Sequence, residues 1–347
     1  MVYISAGSSP IPRSALDREF QFAVPTLAMR LFRHYTPLPE DARDAVVALG
    51  NFDGVHLGHR AVIGAAGEIA RKLGAAHGVL TLEPHPRELF HPGDPPFRLT
   101  PFRAKSNRIA ELGVDLLFNL HFDQLLAKMS AASFISEILV NGLAVRHLAV
   151  GWDFVFGQGR TGHADTLLAA GEVHGFGVTV VQPVRTDETH SGVISSTLIR
   201  GLLTGGDPRR AAEFLGAPWE IDGRVDHGDK RGRTIGFPTA NVAMTGYLRP
   251  KAGVYAVRVG IEPPGTGADR EIDWYGGVAN IGDRPTVAGT DFRLEAHLFD
   301  FAEDIYDRKV RVQLIDWVRP EMKFAGLVEL KAQIARDAAA ARAILDL

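Results

Sequence analysis

His56 and His59 stand three residues apart in the segment Gly50 to His59, G-N-F-D-G-V-H-L-G-H, between the apolar run V-V-A-L at 46 to 49 and a helical pattern that follows at once. The start of a helix presents unpaired N–H groups and the positive end of its dipole, and therefore holds phosphates. Two imidazoles at that place can donate N–H bonds to phosphate oxygens as charge builds during attack at phosphorus. Gly50 and Gly54 permit a tight turn, Gly58 lets the backbone approach closely, and Asn51, Phe52 and Asp53 lie between them. The chemistry this arrangement points to is stabilisation of charge during attack at phosphorus, with no covalent intermediate required. A bare turn with two solvent-exposed histidines is the alternative for an arbitrary His-x-Gly-His; the strand ahead and the helix behind weigh against it.

A second group runs from Gly228 to Asn241, G-D-K-R-G-R-T-I-G-F-P-T-A-N. It lacks the Gly-Lys-Ser/Thr ending of a P-loop. A loop with Gly228, Gly232 and Gly236 among Lys230, Arg231 and Arg233 can still wrap polyphosphate with backbone N–H groups. Beyond Pro238, Thr239 and Asn241 project to one face of an extended segment, so the two oxygens can share one Mg²⁺ and its phosphate. On a later strand Arg293, Glu295 and His297 alternate with Leu294, Ala296 and Leu298. A carboxylate aimed from such a strand can take the proton of an attacking hydroxyl; a solvated charged face is the competing reading for the strand alone.

Three further groups have chemistry to offer. In I-S-S-T-L-I-R at 194 to 200, the hydroxyls of Ser195, Ser196 and Thr197 open a helix and Arg200 stands one turn on, either a phosphate loop or a plain N-cap with a solvated arginine. Asp153 and Arg160 flank a Gly-rich turn, as ligand contacts or as a loop ion pair. His85 lies between two prolines, either lining a ligand cleft or held in a rigid loop that accounts for it equally well. Trp152, Trp219, Trp274 and Trp317 are read as packing residues.

The elements that must position these residues follow from the patterning. Strand-like runs at 46 to 49, 79 to 82, 114 to 118, 147 to 150 and 178 to 181 alternate with helical patterns at 59 to 73, 102 to 112, 133 to 139 and 166 to 174. That alternation predicts an α/β domain with a Rossmann-like parallel sheet and ligands at the carboxyl ends of its strands. After Gly216 the pattern becomes short alternating runs at 254 to 259, 293 to 298 and 310 to 314, separated by Gly/Pro/Asp turns, which predicts an antiparallel β-barrel. Residues 263 to 269 read as a hairpin loop, and 324 to 345 as a terminal α-helix with Leu327, Leu330 and Ile334 on its apolar stripe.

The 347 residues suit two domains, and hydrophobic and charged fractions of 46% and 23% are ordinary for globular chains. A net charge of -3 supplies no global field for nucleic acid, and no window is apolar enough for a membrane span. The absence of cysteine excludes disulfides, thiolate zinc sites and cysteine nucleophiles, and fits a cytoplasmic location.

The wording G-N-F-D-G-V-H-L-G-H-R resembles the nucleotidyltransferases that share a His-x-Gly-His turn with class I aminoacyl-tRNA synthetases. Within them it resembles the prokaryotic bifunctional riboflavin kinase/FMN adenylyltransferase family. E-P-H-P-R-E at 83 to 88, R-L-T-P-F at 98 to 102, Phe122-Asp123, G-W-D-F-V-F-G at 151 to 157, I-S-S-T at 194 to 197, G-D-R-P-T at 282 to 286 and L-E-A-H-L-F-D-F at 294 to 301 agree in order. The resemblance implies an N-terminal extension over 1 to 26, an FMN adenylyltransferase domain over 27 to 216 and a riboflavin kinase domain over 217 to 347. It implies that His56 and His59 contact ATP phosphates, that Ser195, Ser196, Thr197 and Arg200 form a second phosphate loop, and that Asp153 and Arg160 lie near the nucleotide or flavin phosphate. It makes Glu295 the general base and Thr239 and Asn241 the magnesium and phosphate residues. The cleft that His85 would line is then the flavin or nucleotide cleft. The partners implied are ATP, riboflavin, FMN and FAD; neither nucleic acid nor membrane is expected as a partner, and any self-association is expected to be a weak homo-oligomer. The chain departs from the family at Val155, where a basic or polar residue is frequent, at His163, where an acid or amide is, and at Asp307, where glycine is usual. A single-activity riboflavin kinase with a weakened adenylyltransferase domain and a non-catalytic flavin-binding regulator are the rival readings, separable by assaying the two steps individually.

Overall fold

The computed structural model describes residues 29–185, 192–227, 237–263, 272–286 and 289–347. The expected extension over 1 to 26 and the loop tip over 264 to 269 lie outside them. Contacts divide the chain into two compact units, Met1–Asp94 with Lys105–Ser195, and Pro95–Ala104 with Ser196–Leu347.

The first unit carries β1 (Arg30–Phe32), β2 (Val46–Leu49), β3 (His77–Glu83), β4 (Leu116–His121), β5 (His147–Gly151), β6 (Val155–Phe156), β7 (Gly162–His163) and β8 (Gly177–Val181). Six of these form one parallel sheet in the order β1-β4-β3-β2-β5-β8, while β6 and β7 make a separate antiparallel ribbon. All four residues of β2 are buried, as an unbroken apolar strand covered on both faces must be. The chain leaves β2 toward β3 on one side and later returns to β5 on the other, so the carboxyl ends of β2 and β5 mark a topological switch point, the place where such sheets bind ligands.

Helix α1 (Leu57–Leu73) follows β2 directly, buries Val62, Ile63, Ala66 and Ala70 at helical spacing, and stops at Gly74 with φ +62°, as expected. Helices α2 (Pro86–Phe90), α3 (Phe102–Ala110), α4 (Gln124–Lys128), α5 (Phe134–Gly142) and α6 (Ala164–His174) complete the series. The helix expected over 133 to 139 is wound as a π-helix in α5. Its buried positions recur four apart, at Phe134, Ile138 and Gly142 and at Ile135 and Leu139, a spacing that the wider winding keeps on one face. β4 begins two residues later than expected and runs on to His121, because it pairs with β3 through Glu83.

In the second unit, β9 (Trp219–Asp226), β10 (Ala240–Ala243), β11 (Gly253–Ile261), β12 (Asp273–Thr286), β13 (Gly289–Leu298) and β14 (Lys309–Arg319) close an antiparallel barrel in the order β10-β13-β12-β11-β14-β9. Helices α7 (Ser196–Gly205) and α8 (Pro208–Leu215) precede it and α9 (Leu327–Leu345) ends the chain. Residues 95 to 104, which include the R-L-T-P-F segment, pack with this unit: Trp219 Nε1 donates to the Leu99 carbonyl at 2.8 Å and Leu248 N–H to the Arg98 carbonyl at 2.8 Å. The apolar stripe expected on α9 is displaced. Leu327 is exposed, and packing falls to Ala341 and Leu345 against Val254, Ala256 and Val278, with buried Asp337 bound by Arg319 at 2.6 and 2.8 Å.

Candidate functional site

The turn between β2 and α1 takes an unusual backbone path. Phe52, Gly54 and Val55 have φ of +51°, +92° and +45°, although Phe52 and Val55 bear side chains and are buried. A β-branched residue at positive φ is costly, about 1–3 kcal/mol, and persists only where its surroundings over-determine it. Those surroundings are visible: Arg60 Nε donates to the Val55 carbonyl at 3.3 Å, and the Asn51 carbonyl accepts from Thr81 Oγ1 at 3.1 Å and from Lys105 Nζ at 3.2 Å. His56 is the N-cap of α1, its Nδ1 accepting from His59 N–H at 3.3 Å. That bond places the proton of the neutral ring on Nε2, the nitrogen left to donate outward. The two imidazoles stack with centroids 3.6 Å apart, and Phe52 meets His59 edge-on at 5.4 Å. A Cβ on Gly58 would lie 3.1 Å from the His56 ring and 3.5 Å from the Ile194 carbonyl, so the residue leaves room for both. Ile194 thus brings the Ser195 end of the I-S-S-T segment to this turn. Asp53 is buried within it.

On the barrel, cross-strand register assembles the second group. Asn241 of β10 pairs with Glu295 of β13 and with Asp226 of β9, and Glu295 pairs in turn with Asn280 of β12. Directly opposed residues share a face. Four polar side chains therefore form one row across four strands, while Leu294 and Ala296 point into the core as the alternation predicted. Arg284 grips both oxygens of Glu295, at 2.9 and 3.3 Å, and this bond raises the guanidinium pKa against the opposing effect of burial. Glu321 reaches the same group, accepting from Asn280 Nδ2 at 3.1 Å and standing 3.8 Å from Arg284. The Pro238 carbonyl lies 2.9 Å from His297 Nδ1, which ties the end of the P-T-A-N segment to β13. Gly228, Lys230, Gly232, Arg233 and Gly236 lie outside the described residues.

Among the described residues no group of three His, Asp or Glu side chains is placed to hold a metal ion. The row of Asp226 and Asn241, with Thr239 two residues ahead, offers hard oxygen donors, the class that suits Mg²⁺.

The family model for FAD synthetase matches residues 38–198, and that for riboflavin kinase matches residues 215–345. A bifunctional riboflavin kinase/FMN adenylyltransferase of Escherichia coli (strain K12) is 45% identical over 319 residues, 90% of this chain and 97% of its own. That of Bacillus subtilis (strain 168) is 38% identical over 306 residues, 86% and 92% of the two chains. A crystal structure described as a macrolide-efflux protein from Streptococcus pneumoniae is similar with a TM-score of 0.77 at 30% identity, covering 91% of this chain and 99% of that one. The chain belongs to the bifunctional riboflavin kinase/FMN adenylyltransferase family. It is an enzyme with both activities, riboflavin kinase and FAD synthetase.

The departures from the riboflavin kinase/FMN adenylyltransferase pattern acquire physical meaning in the structure. Val155 and His163 are partners in register on the β6–β7 ribbon, so the two changes constitute one altered pair. Between them Gly157, at φ +73°, sits where a Cβ would lie 2.7 Å from the backbone nitrogen of Ala131. Asp153 and Arg160 are exposed, and no ion pair joins them among the described residues. Asp307 has φ +59°, a backbone region that glycine enters without penalty and aspartate tolerates better than most residues.

Arg200 donates from Nε to the Phe97 carbonyl at 2.8 Å and lies over the Phe97 ring. It falls with Ser196 and Thr197 in the second unit, whereas Ser195 closes the first. His85 caps α2 through a reciprocal bond with Glu88, in keeping with a structural role. Trp219 is fully buried as a packing residue, but Trp152 is half exposed. Sequence reasoning assigned no role to Arg284 or Lys105. Arg284 belongs to the G-D-R-P-T segment, and only strand pairing reveals its partner. Lys105 left one signal, a lysine four residues before Ile109 on the buried side of α3.

No helix among the described residues is long and apolar enough to cross a membrane.

Proposed function

We propose that the two activities are divided between the two groups described, the Gly50–His59 turn serving adenylyl transfer and the Glu295 row serving riboflavin phosphorylation, in domains spanning 27 to 216 and 217 to 347. The observation that carries the reading is the register of Asn241, Glu295 and Asp226 on the barrel, set beside a separate helix-capping histidine pair in the sheet unit. In the kinase step Glu295 takes the proton of the riboflavin 5′-hydroxyl as its oxygen bonds to the γ-phosphorus of ATP. The bond from that phosphorus to the bridging oxygen breaks and ADP leaves. For this the Arg284 clamp yields one carboxylate oxygen, and the released guanidinium faces the transferring phosphoryl group. Thr239 and Asn241 would hold Mg²⁺ with the ATP phosphates, where the ion neutralises their charge. Positioning and charge neutralisation supply most of the acceleration in such transfers.

In the second step a phosphate oxygen of FMN attacks the α-phosphorus of ATP, the bond to the β-phosphate breaks and pyrophosphate leaves, giving FAD. His56 and His59, with the N–H groups opening α1, donate to the phosphate oxygens as charge grows. By family resemblance Ser195, Ser196, Thr197 and Arg200 are assigned to binding ATP phosphate, and Asp153 and Arg160 to the nucleotide or the flavin phosphate. A cytoplasmic setting follows from the need for ATP in both steps. Chromatographic product analysis tests the division: His59→Ala is expected to make FMN and little FAD, and Glu295→Ala to fail on riboflavin yet convert supplied FMN. Loss of both steps in both folded variants would overturn it.

A further inference from the structure

Lys105 is wholly buried, although a lysine ammonium is almost never enclosed without partners. Its Nζ lies 2.7 Å from Glu83 Oε1, 3.0 Å from Thr81 Oγ1 and 3.2 Å from the Asn51 carbonyl, so its three N–H donors meet three acceptors on two segments. Two of these acceptors belong to β3 and the third to the turn itself. Thr81 donates its hydroxyl to the same Asn51 carbonyl, which is therefore bound twice. The desolvation of a buried ion pair roughly cancels its attraction, so fold stability alone does not account for a charge at this depth. The geometry has a more specific result. Fixing the Asn51 carbonyl fixes the peptide plane leading into Phe52, whose positive φ sends its ring edge-on against His59. We propose that Lys105 is a positioning residue for adenylyl transfer, holding the Asn51 carbonyl from beneath so that Phe52 keeps His59 in its donating orientation. The inference rests on the assignment of that chemistry to the His56–His59 turn.

The test measures FAD formation from supplied FMN, with riboflavin phosphorylation by the same full-length chain as an internal control of folding. Lys105→Met removes the ammonium that faces Glu83; Lys105→Met with Glu83→Gln removes the facing carboxylate charge as well. Both are expected to lower kcat for FAD formation by about 10- to 100-fold, the scale of a small misplacement of a reacting group. The KM for FMN and the rate of riboflavin phosphorylation are expected to stay within about twofold, because binding energy is not removed. A double variant that recovers the wild-type kcat would show that Lys105 only neutralises Glu83, and would overturn the proposal. Should both variants lose riboflavin phosphorylation too, Thr81→Val decides. It leaves Lys105 as the donor to the Asn51 carbonyl, so kcat for FAD formation is expected to stay within about threefold; a fall as large as that expected of the Lys105 variants, with riboflavin phosphorylation intact, would assign the carbonyl to Thr81 and overturn the proposal. His59→Ala in the same series separates the two levels of argument. If it leaves FAD formation intact, the assignment of the turn fails. If it abolishes FAD formation while the Lys105 variants keep full kcat, only the positioning role fails.

Discussion

In the turn between β2 and α1 the backbone carries the organisation, with Phe52 and Val55 at positive φ and the Asn51 and Val55 carbonyls each bound by side chains. Around Glu295 the backbone is ordinary strand, and organisation comes from side chains set in register, with a half-buried Arg284–Glu295 pair across it. The first arrangement is spatially preset and tolerates little change of shape. The second is a reversible contact between charges, which can exchange one partner for a substrate hydroxyl. On the proposed division, adenylyl transfer draws on fixed donors and phosphoryl transfer to an alcohol on a base that can be uncovered, in keeping with the difference between the two regions.

The contrast can be broken at several points. Glu295→Gln keeps shape and hydrogen bonding but cannot accept a proton, and riboflavin phosphorylation is expected to fall by about 10²–10³-fold in steady-state assays, with FAD formation from FMN preserved. Arg284→Gln releases Glu295 and removes a cation near the transferring group; a fall of about 10-fold or more in kcat for phosphorylation is expected, and an increase would mean that the clamp only restrains the base. In the preset turn, one added methyl group suffices. Gly58→Ala places a carbon 3.1 Å from the His56 ring, and the expected result is about a tenfold drop in FAD formation while melting temperature changes little. The smallest effect belongs to the barrel turn at Asp307: Asp307→Gly is expected to be near neutral and Asp307→Val to cost about 1–2 kcal/mol in denaturant titrations, with neither altering either activity.

Much of this was legible in the sequence because the signals were local. The alternation of runs from 46 to 181 predicted the parallel sheet, and the His-x-Gly-His turn lies within ten consecutive residues whose strand and helix neighbours could be read directly. The alternation at Leu294, Ala296 and Leu298 placed Glu295 on the outer face. What escaped were relations between distant residues. Lys105 is 54 positions from Asn51, and on paper it is one more solvated lysine until α3 packs it against β3. The stripe on α9 was misplaced because Leu327 satisfies the helical period, but barrel contact is made about three to five turns later, where alanines and a bound aspartate suit close approach. The positions where this chain departs from its family were visible individually, yet the pairing of Val155 with His163 required the ribbon. Restoring family-like residues there is meaningful only when both are changed together.

Because the barrel closes, each strand of the Asp226–Asn241–Glu295–Asn280 row is held by a neighbour on both sides. Slipping β13 by one residue would turn Leu294 or Ala296 outward and draw Glu295 into the core, and no edge is available to absorb such an error. On the proposed role of Glu295 a misregistered barrel is chemically silent, which makes the appearance of FMN a readout of when the strands carrying that row have reached their native alignment during refolding.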